Sequence, residues 1–528
     1  MAVASETGYV VHSSLNADIK LPDHQLVIIG QPQHLSTVTY ETLQDKFAGL
    51  VSKEVFQCAL GQVSSLKQDP KPEGGTSTLA YSASVTTVPL FLNQAYLLSL
   101  PHRLSRHNSL SGAASLAKSL KALSLGSAPS VKGISIVLVA DYKSFVSLVA
   151  AVARSFSLYS LKTSKKDLVN GISVELVQTD SAESGSPTVG EDDANWLTAL
   201  SAGIRKAARI VDTPPNIMTA SALAAEAQTV ASQLPVTANV IVGDDLLEQG
   251  FGGIYNVGKA SEHPPAMVCL SYQPPEATET IALVGKGIVF DTGGMQIKGK
   301  TAMLGMKADC GGAAAVLYAF ESLVRAGIRQ NLHAVLCIAE NMIGRKANRP
   351  DDVITMLSGK TVEINNTDAE GRLVLGDGVY YARSVLNASV IIDMATLTGA
   401  QRIATGDHHA AVVTNSDDWE RRAVAAGQAC GELVQPLVFC PELHFPDLTS
   451  AIADMKNALV SHSSASSSIA ALFVFAQLNF DPEINWVHVD LAHPAFVGER
   501  GTGFGVALAS TLLSQHCSVP ILQAASNV

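Results

Sequence analysis

Thr361-Val362-Glu363-Ile364-Asn365-Asn366-Thr367-Asp368-Ala369-Glu370-Gly371-Arg372-Leu373-Val374-Leu375 sets two carboxylates and a guanidinium between apolar flanks. On an extended backbone Asp368, Glu370 and Arg372 point to one side, because strand side chains alternate. Thr367, Ala369 and Gly371 leave the other side uncrowded. The flanks argue for burial. Convergent buried carboxylates repel unless a cation lies between them, and their oxygens suit hard divalent metals.

Outward from this stretch, strand and helix patterns alternate. Residues 281–290 and 333–339 read as apolar strands around an Ala-rich helix at 311–326, and 371–385 is again helical. Beyond lie a buried strand at 389–394, helices at 419–430 and 468–478, and a strand at 486–491. This alternation predicts an α/β fold with a mixed, largely parallel sheet covered by helices on both faces, and sites at the carboxyl ends of its strands. Farther upstream, strands are expected at 26–30, 134–140 and 172–177 and an amphipathic helix at 142–156. Leu116, Leu120 and Leu123 make part of the Ser/Leu/Ala-rich segment 104–130 helical. The aperiodic polar stretch 179–193 places a domain boundary. A smaller N-terminal α/β domain (1–190) is expected to precede a larger C-terminal catalytic domain (191–528). A long helix should open the second domain at Asp192 or Asp193 and stop at Asp212-Thr213-Pro214-Pro215-Asn216.

Bulk properties narrow the function. A chain of 528 residues favours two domains, and 47% hydrophobic content fits well-packed cores. A formal charge of −11 argues against nucleic acid as the main partner. Seven scattered cysteines with no CxxC pair fit a reducing compartment. The N-terminus lacks the pattern of a secretory signal, and no apolar run reaches membrane-spanning length. A cytoplasmic protein without membrane contact is expected.

A second stretch carries matching chemistry. Lys286 lies in an apolar strand, which is costly for an amine that is neither paired nor neutral. Asp291 ends that strand just before Thr292-Gly293-Gly294, where glycines allow a sharp turn. Asp309 precedes Gly311-Gly312 and a helix whose dipole favours its charge. The pattern of a P-loop is absent, as are HExxH and GxSxG.

Taken together, NTDAEGR at 366–372, GKG-x3-DTGG-x3-K at 285–298 and MKAD-x-GG at 306–312 resemble the leucyl aminopeptidase (cytosol aminopeptidase) family, in particular its probable aminopeptidase-like branch. The resemblance runs from about Asn195 to the C-terminus. It implies a metal-dependent exopeptidase that releases the N-terminal residue of peptides, with a leucine-like preference. It also implies two divalent ions per subunit, usually Zn²⁺, with Mn²⁺, Mg²⁺ or Co²⁺ as substitutes. Lys286, Asp291, Asp309 and Glu370 fall on the more exchangeable site, and Asp291, Asp368 and Glu370 on the tighter one. Such a pair activates a water and polarises the scissile carbonyl. Lys298 matches the lysine that stabilises the oxyanion, and Arg372 the arginine that holds a bicarbonate serving as base. Met306, Asn366, Thr396, Leu397 and Gly399, with Lys298, fall on substrate contacts. Homohexameric assembly is implied as well. The competing readings are a DNA-binding or regulatory relative and a catalytically silent scaffold. Met295-Gln296-Ile297-Lys298-Gly299 departs from the usual loop but keeps the lysine's spacing, and 463–468 is serine-rich where relatives are glycine-rich. Cys310 is expected to be a packed thiol, His408-His409 a loop feature, and His488 and Asp490 a hydrogen-bonded strand interior.

Overall fold

Short runs of β-branched residues fold as buried strands in a computed structural model that describes residues 8–64, 85–123, 125–126, 131–163, 168–169, 171–180, 187–459 and 465–526. The chain parts into two units, residues 1–205 with 425–433 and 518–528, and residues 206–424 with 434–517.

The first unit holds a six-stranded sheet of β1 (Tyr9–His12), β2 (His24–Gly30), β3 (Thr86–Phe91), β4 (Ala95–Ser99), β5 (Gly133–Ala140) and β6 (Ile172–Gln178), in the order β1-β6-β5-β2-β4-β3. Only β3 runs antiparallel to its neighbour. Helix α1 (Ala113–Ala122) buries Leu116 and Leu120, and α2 (Phe145–Ser155) is buried over most of its length. Lys46 is buried beside Glu175, its Nζ 2.6 Å from Oε1, and Ser135 Oγ donates to the same carboxylate at 2.7 Å. The pair is buried but fully partnered. Residues 124 and 127–130 of the serine-rich segment and 181–186 of the expected boundary lie outside the described residues. Helix α3 (Glu191–Asp212) begins and ends where its acidic start and the Thr-Pro-Pro stop require.

The second unit is built on eight strands: β7 (Thr237–Val242), β8 (Ala266–Tyr272), β9 (Thr280–Asp291), β10 (Asn331–Asn341), then, past a small separate sheet of β11 (Val353–Thr355), β12 (Thr361–Glu363) and one later strand, β13 (Val390–Ala395), β14 (Ala410–Thr414) and β15 (Val434–Pro436). The later strand is β16 (Met455–Lys456), and β17 (Asn485–Asp490) completes the large sheet in the order β15-β14-β17-β13-β9-β10-β8-β7. Its centre, β17-β13-β9-β10, is parallel, and antiparallel pairs appear only toward the edges. The mixed, mainly parallel sheet therefore stands as expected. Strand β9 is buried along nearly its whole length, as a central parallel strand should be.

Helices α4 (Gly311–Arg325), α5 (Gly371–Ser384), α6 (Gly399–Thr405), α7 (Asp417–Cys430) and α8 (Ser466–Ala476) complete the alternation; all but α7 lie wholly within the second unit, whereas α7 straddles its boundary. Because the central strands are parallel, Asp291, Asn341, Ala395 and Asp490 end them at one edge of the sheet. No helix among the described residues is long and apolar enough to cross a membrane.

Candidate active site

The register of β13 on β9 sets Met394 opposite Gly285, so the chain just past β13 lies beside Lys286. Lys286 Nζ donates to the Thr396 carbonyl at 2.9 Å and lies 2.7 Å from Asp309 Oδ1 and 3.0 Å from Glu370 Oε1. A buried amine in an apolar strand thus finds its partners at the sheet's carboxyl edge. Gly371 makes room for it: a Cβ there would fall 2.7 Å from Lys286 Cε.

Asp291 ends β9, and its Oδ1 accepts from Gly293 N at 2.9 Å and Asn341 Nδ2 at 2.8 Å. An extra residue in β9 between Ile288 and Asp291, opposite Ala339–Asn341 of β10, brings that asparagine into line. The turn that follows needs positive φ at Gly293 (84°) and Gly294 (65°), and it returns Lys298 to the site. Lys298 Nζ lies 2.8 Å from Asp291 Oδ2 and 2.5 Å from Asp368 Oδ1. Asp309 sits on the short 3₁₀ turn Met306–Cys310, where Thr396 Oγ1 donates to its Oδ1 at 2.8 Å.

Asp368 and Glu370 come from the loop between β12 and α5. Asn457, fully buried, clamps that loop: its Nδ2 donates to the Asn366 carbonyl at 2.6 Å, and its Oδ1 accepts from Asn365 N at 3.0 Å. The extended reading of this stretch needs correction. Glu370 has helical dihedrals (φ −80°, ψ −34°) and α5 begins at Gly371. Arg372 is therefore a first-turn helical residue and does not continue a strand alternation from Asp368. Gly371 can start a helix there, and closing the helix early turns Arg372 toward the neighbouring cavity.

Asp291, Asp309 and Glu370 each offer a carboxylate oxygen within 4.8 Å of the others, and all three are buried. Burial pushes the carboxyls of Asp309 and Glu370 up, and the neighbouring carboxylates push the same way against the pull of Lys286. Asp368 is raised as well, by burial and by Asp291. Burial would strip Lys286 and Lys298 of their protons, yet the surrounding carboxylates outweigh it and raise both ammonium groups. Two lysines thus supply part of the positive charge that the carboxylates need. Asp309 Oδ2 is buried and has no hydrogen-bond partner among the described residues, so the cluster retains an unused ligand atom. Clustered hard oxygens, one of them unused, fit a divalent cation.

Arg372 is 9% exposed, and its Nε has no hydrogen-bond partner among the described residues. Burial lowers its guanidinium to about 10, against the support of Glu370 and Asp490. A buried guanidinium with a free donor is suited to a small anion. It lines a cavity of about 640 Å³ together with Asn366, Asp368, Leu397, Gly399 and Ser467. Of the expected substrate contacts, Asn366, Leu397 and Gly399 are on that wall. Thr396 instead turns its carbonyl to Lys286 and its hydroxyl to Asp309, and Met306 opens the turn that carries Asp309.

Sequence reasoning passed over Asn341 and Asn457, although a polar residue closing an apolar strand was a usable signal at Asn341. Cys310 is a buried thiol whose Sγ donates to the Lys307 carbonyl. His488 is buried and pairs through Nδ1 with Asp393, whose other oxygen accepts from Trp486 Nε1 at 2.8 Å.

Residues 205–510 match the catalytic domain of the cytosol aminopeptidase family, and residues 24–165 match the family's M17 aminopeptidase N-terminal domain 2. The chain is 46% identical over 505 residues to the probable aminopeptidase NPEPL1 of Mus musculus, covering 95% of this chain and 91% of that protein. The solved leucine aminopeptidase LAP1 of Caenorhabditis elegans superposes with a TM-score of 0.87 at 42% identity, covering 97% of this chain and 99% of that one. The leucyl aminopeptidase of Trypanosoma brucei, solved in complex with bestatin, gives a TM-score of 0.81 at 33% identity and covers 96% of each chain. Both domains, the site motifs and the whole-chain superposition agree: the chain belongs to the cytosol aminopeptidase family.

Proposed function

We propose that this metal-dependent aminopeptidase binds two divalent cations among Lys286 (as the neutral amine once a cation takes the place of its proton), Asp291, Asp309, Asp368 and Glu370, and releases the N-terminal residue of peptides, preferentially a leucine-like one. The buried cluster of Asp291, Asp309 and Glu370 is the observation that carries the reading. When bound, a divalent pair lowers the pKa of a water and polarises a carbonyl. In this reading Asp291 and Glu370 would be shared by both ions. The neighbours of Asp291 hold one carboxylate oxygen fixed, since Asn341 and Gly293 both donate to Oδ1. Lys298, close to Asp291 and Asp368, would turn its ammonium toward the oxyanion of the reacting carbonyl. Arg372 would hold a bicarbonate that takes the proton from the attacking water. Its Nε, without a partner among the described residues, supports that role.

The substrate's first residue would lie in the cavity between Asn366, Leu397 and Gly399, beside the metal end, where Met306 opens the turn that carries Asp309 and Thr396 donates to Asp309. Zinc is the expected ion, with manganese, magnesium or cobalt as substitutes. Seven free cysteines support a reducing, cytoplasmic setting. Assembly as a homohexamer rests on the family resemblance and is checked by light scattering. The DNA-binding and silent-scaffold readings find no support in these likenesses.

The test sets leucyl-p-nitroanilide against p-nitrophenyl phosphate with metal-loaded protein. Release of p-nitroaniline alone is expected. Asp291→Ala and Glu370→Ala should each lose turnover and bound metal together; a metal-replete, active variant would sink the ligand assignment.

A further inference from the structure

Asp490 ends β17, is fully buried, and takes no part in the metal cluster. Its two oxygens nevertheless collect donors from two separate segments of the cavity wall. Oδ1 accepts from Leu397 N at 3.1 Å and Thr398 N at 3.4 Å, and also from Ala492 N at 3.3 Å. Oδ2 accepts from Thr398 Oγ1 at 2.6 Å and from Ser467 Oγ at 2.9 Å. Thr398 and Ser467 stand at the starts of α6 and α8, and Thr398 Oγ1 also caps α6 by accepting from Gln401 N at 3.1 Å. Leu397, Thr398 and Ser467 all line the cavity that Arg372 faces.

The two segments lie about seventy residues apart in sequence, and each arrives as the first turn of its own helix. Without that shared acceptor, the hydrogen bonds that join the two segments through one side chain are lost. Hydrogen bonds to a charged, desolvated acceptor are shorter and stronger than neutral ones, so they fix a separation closely.

We infer that Asp490 is a positioning residue of the substrate cavity, tying Leu397–Thr398 to Ser467 so that one buried carboxylate sets the width of the space offered to the substrate's first side chain. The assignment rests on the aminopeptidase reading and deepens it, because it concerns which N-terminal residues are accepted. A carboxylate that served folding alone would affect all substrates alike. A positioning carboxylate affects them unequally, since a pocket distinguishes side chains by fit and each misfitted methylene is worth about tenfold or more in kcat/KM.

The experiment measures kcat and KM for glycyl, alanyl, leucyl and phenylalanyl p-nitroanilides with wild type, Asp490→Ala and Asp490→Asn, at matched metal content. The Ala variant is expected to change the leucyl-to-alanyl ratio of kcat/KM by more than about threefold. The Asn variant, which keeps an acceptor for the backbone donors, should lie between it and wild type. Ratios that stay within about threefold while the melting temperature falls would overturn the assignment and leave Asp490 a folding residue. Should Asp490→Ala fail to fold, Thr398→Val combined with Ser467→Ala removes both hydroxyl donors and is judged by the same threshold. Failure of wild type to cleave any of the four substrates would instead overturn the aminopeptidase reading, and is seen without any variant.

Discussion

At the scale of single residues, the site is a set of charges held in place by groups that carry none. Gly371 is the sharpest case, since a methyl there would meet Lys286 at Cδ, Cε and Nζ, all within 2.8 Å. Lys286 cannot step aside without leaving Asp309, Glu370 and the Thr396 carbonyl. Gly371→Ala is therefore expected to cost at least about tenfold in kcat while leaving the melting temperature within a few degrees, because alanine suits a helix start. Kinetics and a thermal melt on one preparation check both halves. The charged residues themselves were legible in the sequence, because carboxylates at i and i+2 between apolar flanks have few uses. Their holders were not. Asn341 meets Asp291 across a register shift in β9, and Asn457 reaches a loop some ninety residues upstream in sequence, so neither proximity is written in local spacing. The direction of Arg372 differs for a related reason: the alternation of a strand does not extend the two residues past Glu370, which already turns helical.

At the scale of elements, long apolar patterns gave β9, α4, β10, α5, β13 and β17, because each has enough buried positions for its period to show. Strand β7 escaped notice because it is an edge strand, mostly exposed, with little apolar periodicity. Helix α5 is joined to its surroundings by a buried acid. Asp377 Oδ2 accepts from Ile254 N and Oδ1 from Leu357 N, both at 2.9 Å, so one side chain fastens a neighbouring helix (Gly252–Gly258) and the turn after β11. Asp377→Ala leaves those buried N–H groups unpaired and should cost about 2–4 kcal/mol of unfolding free energy, read by denaturant titration. Burial pushes Asp377 up from 3.8 to about 7, although the backbone donors pull it down. The folded state therefore holds this proton more tightly than the unfolded chain does, and the group's contribution to stability falls as pH rises from about 4 to about 7. Subtracting the stability of Asp377→Asn from that of wild type across this range should give a declining curve; a flat difference would refute it.

At the scale of the whole molecule, the metal cluster joins segments that the fold would hold even without ions, because Lys286 and Lys298 already face the carboxylates. Exhaustive chelation is expected to abolish activity yet leave the circular dichroism of a folded protein. Restoring Zn²⁺ or Mn²⁺ should raise the melting temperature in proportion to the logarithm of free metal, a gain of about 4 kcal/mol at a thousandfold excess over Kd. Unfolding on chelation would contradict this. The two-domain α/β plan was legible because composition and alternation act over hundreds of residues, whereas the return of 425–433 and 518–528 to the first unit was not, since no local pattern records such an excursion. The order of strands carries one more consequence. Strand β9 lies between β10, which follows it closely in the chain, and β13, which does not emerge until some hundred residues later. During synthesis the ribosome therefore delivers Lys286 and Asp291 long before Thr396, and Asp490 later still. The carboxyl edge of the sheet is therefore complete only when nearly all of the chain has been translated, and a chain that stopped before β17 would lack the strand that joins β13 to β14.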